Sequence, residues 1–200
     1  MTNAEILKLQ EISFHISALL RIKDPKTFKH SYRVGKIASA FNRIFNFFDE
    51  DPSVMEDIGT IHDGGKLVVI KKALVRPGPL KGDEITLQKF HPVLGAEMIP
   101  KKMEWVREAV RHHHERLDGK GYPDKLDGSD IPEIACFFSV IDAFDAMYAE
   151  RAYQKRRTFE EIKQELKDNR GKQFDFTFTN CFLEFITFKE GKKILKDLNY

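Results

Sequence analysis

Two cysteines in 200 residues, Cys136 and Cys181, rule out a disulfide-built scaffold, and both sit in apolar runs that suit buried thiols. No apolar run reaches membrane-spanning length and no secretory pattern opens the chain, so a cytoplasmic location is the default expectation. Charge is nearly balanced. Lys and Arg number 33 against 31 Asp and Glu, a net of +2, which gives no electrostatic case for a nucleic-acid polymer or a membrane surface. Internal repeats, low-complexity tracts and convincing strand pairs are all missing. What the chain does have is phenylalanine, 17 residues of it, and a hydrophobic share of 42% against 32% charged. That composition fits one soluble domain with an aromatic-rich core.

Hydrophobic spacing reads as helices almost throughout, so the expected fold class is all-α. Ile6, Leu9, Ile12, Ile16, Leu19 and Leu20 recur at helical intervals within Glu5–Ile22. Asp24-Pro25 starts a second helix running to about Phe48, with His30, Val34, Ile37, Phe41 and Phe45 on one face. Asp51-Pro52-Ser53 opens a third, ending near Gly64-Gly65. Residues 67–83 are irregular, because Arg76-Pro77-Gly78-Pro79 forbids helix. Asp83 or Glu84 can start a helix through Leu87 and Phe90, and Pro92 breaks or restarts it beside His91. Met103–His114 is helical, and a loop with three glycines follows over Asp118–Asp130. Glu133–Ala149 is apolar nearly all round, the pattern of a buried helix. Thr158 caps a charged helix that Gly171 stops, Phe174–Phe188 is aromatic and helix-like, and Gly191–Asn199 forms a short tail helix.

Against that frame the polar exceptions stand out. His30 lies on an apolar stripe, which suits a satisfied core histidine or a ligand. His62-Asp63 closes a helix, where a carboxylate opposes the dipole and needs a cation; a metal ion or Lys66 alone would serve. His91 sits at a proline kink. His112, His113 and His114 are consecutive, and neighbours on a helix point about 100° apart, so at most two can face one site. Asp142 and Asp145 lie inside the buried helix, Asp142 reading as the more deeply placed, and a charge there must be paired or bound to metal. Nitrogen and carboxylate donors without cysteine suit Fe, Mn, Co, Ni or Zn rather than an iron–sulfur cluster. Their number exceeds the need of one tetrahedral zinc and suits two ions sharing a carboxylate, the arrangement used for phosphoryl displacement.

These residues fall in an order that resembles the HD phosphohydrolase superfamily, and within it the HD-GYP subfamily. The resemblance rests on His62-Asp63-x-x-Lys66, His113-His114-Glu115-x-x-Asp118-Gly119-x-Gly121-Tyr122-Pro123 and Asp142-x-x-Asp145-Ala146 as the notable blocks. Arg76-Pro77-Gly78-x-Leu80, His91-Pro92-x-x-Gly95-Ala96-Glu97 and Gly171-x-x-Phe174-Asp175 fit the intervening pattern. The likeness covers about Asp24 to Phe188. It implies a single HD-GYP domain over 1–200, with an N-terminal helix at 1–23, a motif-bearing core at 24–188 and a tail helix at 189–200. It also implies hydrolysis of cyclic di-GMP to linear pGpG, with onward cleavage to GMP left open, by a bridging hydroxide between two divalent ions, Fe or Mn favoured and Zn, Ni or Co compatible. By the same resemblance His30, His62, Asp63 and Asp142 hold one metal, and His91, His113 and His114 the other, with Asp63 bridging. Lys66 meets the scissile phosphate, Arg151 and Lys155 grip the substrate, and the Gly121-Tyr122-Pro123 loop, exposed in this reading, contacts a GGDEF-domain partner. His112 falls outside the motif and is expected at the surface.

The chain departs from the pattern in several places. Lys26 stands where some members carry the glutamate of a third metal, so two ions are expected. Gly64 replaces a bulky apolar residue and would loosen the end of the third helix. Leu117 stands where tryptophan is common, and Ala152 and Gln154 replace a proline and an arginine in the basic segment. Two rival readings follow: a phosphohydrolase for another cyclic nucleotide, and a metal-containing receptor with little turnover. A ferritin-like di-iron oxidase needs paired Glu-x-x-His motifs, and none occurs.

Overall fold

The computed structural model describes residues 1–69, 87–148 and 157–200. Among them are nine α-helices: α1 (Asn3–Lys23), α2 (Pro25–Phe45), α3 (Pro52–Ile61), α4 (His91–Glu97), α5 (Glu104–His112), α6 (Glu133–Tyr148), α7 (Phe159–Asn169), α8 (Phe176–Phe185) and α9 (Lys189–Asp197). Short 3-10 turns lie at Gly64–Leu67 and Gly128–Asp130. The one ladder contact among the described residues is an isolated bridge between Arg170 and Phe174. The fold class is therefore all-α. The Arg76-Pro77-Gly78 and Leu80 positions, the helix start at Asp83 or Glu84, and the basic segment with Arg151, Ala152, Gln154 and Lys155 lie outside the described residues.

Local chemistry sets the helix ends. Thr2 and Glu5 form a reciprocal capping box at α1, and Thr158 and Glu161 do the same at α7. Pro25 and Pro52 each open a helix behind an aspartate cap. α2 stops at Phe45, earlier than the spacing predicts. Asn46 takes the left-handed conformation there, with φ 52°. The buried Asn42 side chain then donates to the Phe48 carbonyl and accepts from the Phe48 amide, both at 3.0 Å. This turn folds Phe47 and Phe48 back onto the core, where they pack against Phe137 and Phe178.

α6 is the central element. Phe137, Phe138, Ile141 and Phe144 on it are essentially inaccessible. Phe41 of α2 stacks on Phe137 with centroids 5.2 Å apart and meets Phe182 and Phe185 of α8 edge-on or tilted. Aromatic pairs in such geometries contribute beyond simple area burial. On α1 the inward face is Leu9, Ser13, Ile16 and Leu20. Leu19, expected on that face, is 46% exposed instead. At 3.6 residues per turn it lies beyond the edge of a stripe centred on Ile16 and Leu20.

Two close backbone approaches set the register of the site. At the α2–α3 crossing, a Cβ on Gly59 would lie 2.5 Å from the Gly35 Cα, so the two helices touch main chain to main chain. That contact brings His30 and His62 together, with ring centroids 5.2 Å apart. Further along, a Cβ on Gly65 would lie 1.9 Å from the His91 carbonyl oxygen. The 3-10 turn after Asp63 thus rests directly on the start of α4. Gly64 does not loosen α3, because it falls in the 3-10 turn rather than in the helix. The space its missing side chain leaves is taken by Ile16, whose Cγ2 a Cβ there would meet at 3.0 Å.

Candidate metal centre

The site is assembled from the C-terminal ends of α3 and α5, the start of α4, and inward positions of α2 and α6. Three of its imidazoles are held from behind in the same way. The Nδ1 of His62 faces the Gly59 carbonyl at 2.6 Å, that of His91 the Gln88 carbonyl at 2.6 Å, and that of His113 the Val110 carbonyl at 2.8 Å. A carbonyl only accepts, so each Nδ1 carries the proton and each Nε2 presents a bare lone pair forward. The helix ends place the carbonyls three residues back, which is why the histidines cluster there. In His30 the same anchoring is done by a side chain: its Nδ1 donates to Asp145 Oδ2 at 2.7 Å.

The forward nitrogens converge on two carboxylates. Asp63 Oδ1 lies 3.1 Å from His91 Nε2, and Asp63 Oδ2 lies 3.6 Å from His30 Nε2 and 3.7 Å from His62 Nε2. Asp142 Oδ1 is 2.9 Å from His30 Nε2 and 3.6 Å from His62 Nε2, and its Oδ2 is 3.7 Å from His114 Nδ1. Three ligand groups result, with donor atoms within 4.8 Å of one another: Asp63, His91, His113 and His114; His30, His62 and Asp63; and His62, His113 and Asp142. Asp63 belongs to two of them. Asp142 spans toward the second cluster as well as lying beside His30 and His62, a wider reach than the sequence implied.

The donor set fits divalent cations. His91 Nε2 and His113 Nε2 face each other at 3.4 Å, and with both protons held at Nδ1 two lone pairs are opposed. His62 Nε2 and Asp63 Oδ1 are buried without a hydrogen-bond partner. Buried acceptors left unpaired are costly, and a cation between them removes the cost at both. A metal-bound imidazole usually donates its other ring N–H to a backbone carbonyl or a carboxylate, as His30, His62, His91 and His113 all do.

Electrostatics point the same way. Burial, with neighbouring His114, His62 and His91, holds the His113 pKa well below its ordinary value. Burial also drives His114 down to about 3. Both are neutral, as ligands must be. For Asp63 burial favours the protonated form, but the Lys66 ammonium, foremost among its neighbours, holds the carboxyl well below the usual carboxylate range. Asp142 is likewise held low against burial, through His30 and His62. His30 is the exception: burial opposes its charge, yet Asp142 and Asp145 raise its pKa to about 10. A cation bound at His30 must therefore displace a proton. Metal uptake near pH 7 is expected to release about one proton per chain at this position, and affinity should fall as pH is lowered. Calorimetric titration in buffers of different ionisation enthalpy reads the number directly; uptake without proton release would contradict the assignment of His30.

The remaining sequence-predicted residues sort clearly. Lys66 Nζ lies 2.5 Å from Asp63 Oδ2, so it neutralises the helix-terminal carboxylate and stands at the site's edge. His112 points away from the cluster to Asp124 at 2.9 Å and is half-buried rather than at the surface. The Gly121-Tyr122-Pro123 loop is not freely exposed: Gly121 is buried and Tyr122 and Pro123 are half-buried. Glu115 explains this. Its buried carboxylate accepts from the amides of Asp124 and Lys125 at 2.7 and 3.0 Å. Gly121 packs so tightly on it that a Cβ would lie 2.5 Å from the Glu115 Cα. The Tyr122 ring then lies 4.7 Å from the His114 ring, on the wall of the site. Burial and the nearby Asp63 and Asp142 keep its hydroxyl protonated.

Asp145, not Asp142, is the more deeply buried of the two α6 aspartates, at 0% against 9% exposed. Its partner Arg33 lies one helical turn beyond His30 on α2. The shared three-residue spacing, His30 to Arg33 and Asp142 to Asp145, could have signalled the pairing. Tyr200, which also donates to Asp145, left no sequence signal.

Comparison with known proteins places the chain in a family. A family model described as HD domain matches residues 15–178. The chain is 27% identical over 179 residues to 3'3'-cGAMP-specific phosphodiesterase 2 of Vibrio cholerae, covering 88% of this chain and 34% of that protein. It is 29% identical over 170 residues to the cyclic di-GMP phosphodiesterase response regulator RpfG of Xanthomonas campestris pv. campestris, covering 83% and 45%. The chain thus spans between a third and a half of these two relatives' lengths. The solved phosphodiesterase PgpH HD domain of L. monocytogenes superposes with a TM-score of 0.62 at 14% identity, covering 92% of this chain and 99% of that one, a likeness of fold. No helix among the described residues is long and apolar enough to cross a membrane.

Proposed function

We propose that this chain, which belongs to the HD-domain family, is a metal-dependent phosphodiesterase that opens cyclic di-GMP to linear pGpG, with residues 1–200 acting as one domain. The observation that carries the reading is the convergence of imidazole Nε2 atoms, three of them anchored through Nδ1 to a backbone carbonyl, on Asp63 and Asp142, where buried acceptors lack partners. In this reading His30, His62, Asp63 and Asp142 hold one cation, His91, His113 and His114 hold a second, and Asp63 is common to both. Two such ions, Fe or Mn by preference, supply Lewis acidity and a nucleophile available at neutral pH.

The chain's own residues do the rest. Asp63, common to both ligand sets, would join the two cation positions, and Asp142 would complete the set around His30 and His62. Lys66 is beside the shared carboxylate and can turn its ammonium to a phosphoryl oxygen as charge builds there. The Tyr122 ring and the His114 imidazole form one wall against which a planar base can lie. Arg151 and Lys155 are proposed to grip a substrate phosphate, the planar guanidinium suiting a bidentate contact. Contact with a GGDEF-domain protein would use the half-buried Tyr122 and Pro123 together with the exposed Asp124 and Lys125 beside them.

Because one relative bears a 3'3'-cGAMP-specific name and another a cyclic di-GMP name, the deciding experiment is parallel turnover of both on anaerobically purified protein. The expected result is conversion of cyclic di-GMP to pGpG with a higher kcat/KM than for 3'3'-cGAMP. A reversed preference would transfer the proposal to the hybrid dinucleotide. Tight binding with no turnover of either would make the protein a receptor.

A further inference from the structure

We propose that Asp145, clamped by Arg33 and Tyr200, is a positioning residue that fixes His30 as a metal ligand, so that the segment following α9 governs occupancy of one of the two cation positions. This inference rests on the metal reading above and extends it to residues that do not themselves face a cation.

Asp145 is fully buried on α6 and is shared by three donors. Arg33 grips it bidentately, Nε to Oδ1 and Nη2 to Oδ2, both at 2.7 Å. His30 Nδ1 donates to Oδ2 at 2.7 Å. The Tyr200 hydroxyl donates to Oδ1. A buried carboxylate with this many hydrogen-bond partners cannot rotate without breaking several of them.

The consequence falls on His30. A fixed acceptor behind Nδ1 keeps the proton there and aims Nε2 at Asp63 and Asp142. The other anchored imidazoles achieve this with backbone carbonyls three residues back. His30 lies in mid-helix, where the carbonyls are taken by α2 itself, so it needs a side-chain acceptor. That acceptor is in turn held by a residue beyond the last helix.

Tyr200 is built into the clamp by more than its hydroxyl. Its ring packs 4.6 Å from Tyr148 and 5.4 Å from Phe144, both on α6. The Arg33 guanidinium carbon lies 5.7 Å from the centre of the same ring. The tail thus touches both partners of the Asp145–Arg33 pair and bears on the metal centre without reaching it.

The test is Mn²⁺ binding to the full chain, comparing wild type with Tyr200→Phe and Asp145→Asn. Stoichiometry is read by equilibrium dialysis and pairing of the ions by electron paramagnetic resonance. Tyr200→Phe keeps the packed ring and removes one hydrogen bond, so it guards against Asp145→Asn failing to fold. The expected result is that wild type binds two ions with a coupled-pair signal. Asp145→Asn should hold one ion strongly and the other at least about 10-fold more weakly, with an isolated-ion signal at intermediate Mn²⁺. Tyr200→Phe should weaken the same ion by a smaller factor and leave the first unchanged. A merely structural role would weaken both ions together. Two-ion binding of unaltered affinity in both variants, or equal weakening of both ions, would overturn the proposal while leaving the metal centre intact. A wild type that binds no Mn²⁺ would overturn the metal reading itself, and this inference with it.

Discussion

Asp63→Ala is expected to abolish two-cation binding and to lower turnover at least about 1,000-fold, a loss of roughly 4 kcal/mol of transition-state stabilisation. The size follows from how much converges on one carboxylate. Its oxygens lie 3.1 Å from His91, 3.6 Å from His30, 3.7 Å from His62 and 2.5 Å from Lys66. In the two-cation reading its removal would take a ligand from both positions at once, and it would leave the Lys66 ammonium without its carboxylate. Asp63→Asn separates charge from shape. It keeps the side-chain volume but not the negative charge, and should also lose the paired ions. Elemental analysis and activity on the same sample give both readings. Helical circular dichroism distinguishes an emptied site from an unfolded chain. Retention of two ions and of activity in Asp63→Ala would remove Asp63 from its bridging position.

The second large effect is expected at a residue with no side chain. Gly65→Ala would put a Cβ 1.9 Å from the His91 carbonyl oxygen and 2.6 Å from the Gly95 amide nitrogen. Both obstacles are main chain, so α4 has to move away from the 3-10 turn. His91 moves with it and leaves Asp63 and His113. Overpacking of this kind costs about 3 kcal/mol of stability, and an error of about 1 Å in a reacting constellation can cost about 100-fold in rate. Gly64→Ala is the matched control. Its Cβ meets only the Ile16 side chain, at 3.0 Å, and that side chain can turn. Denaturant midpoints and kcat for the two variants should diverge sharply. Equal, small effects would mean that the contact between Gly65 and His91 is not what places the histidine.

Much of this architecture could be read from the chain, for identifiable reasons. Helix starts at Asp24-Pro25, Asp51-Pro52 and Thr158 are local chemistry, and all were found where expected. The buried helix carrying Phe137, Phe138 and Phe144 announced itself by apolar residues on every face. The histidines and aspartates drew notice because each interrupts an apolar face or closes a helix, and the structure brings the seven proposed ligands together. What escaped depends on long-range contact. The early stop of α2 comes from Asn42 reaching Phe48, a pairing that periodicity does not encode. Asp145 read as the shallower of the α6 aspartates because its partners, Arg33 and Tyr200, lie 112 and 55 residues away. The Gly121-Tyr122-Pro123 loop looked exposed because loops usually are, whereas the buried Glu115 carboxylate draws it in. His112 looked exposed for want of a visible partner, and Asp124 supplies one across the same loop.

The most direct test of the central claim is metal content per chain, measured by elemental analysis on protein purified without oxygen, with cyclic di-GMP turnover assayed on the same sample. Two divalent ions per chain and formation of pGpG are expected, with turnover lost on chelation and restored by Fe²⁺ or Mn²⁺. Protein that takes up no divalent ion after anaerobic reconstitution, or that turns over cyclic di-GMP undiminished in chelator, would contradict that claim.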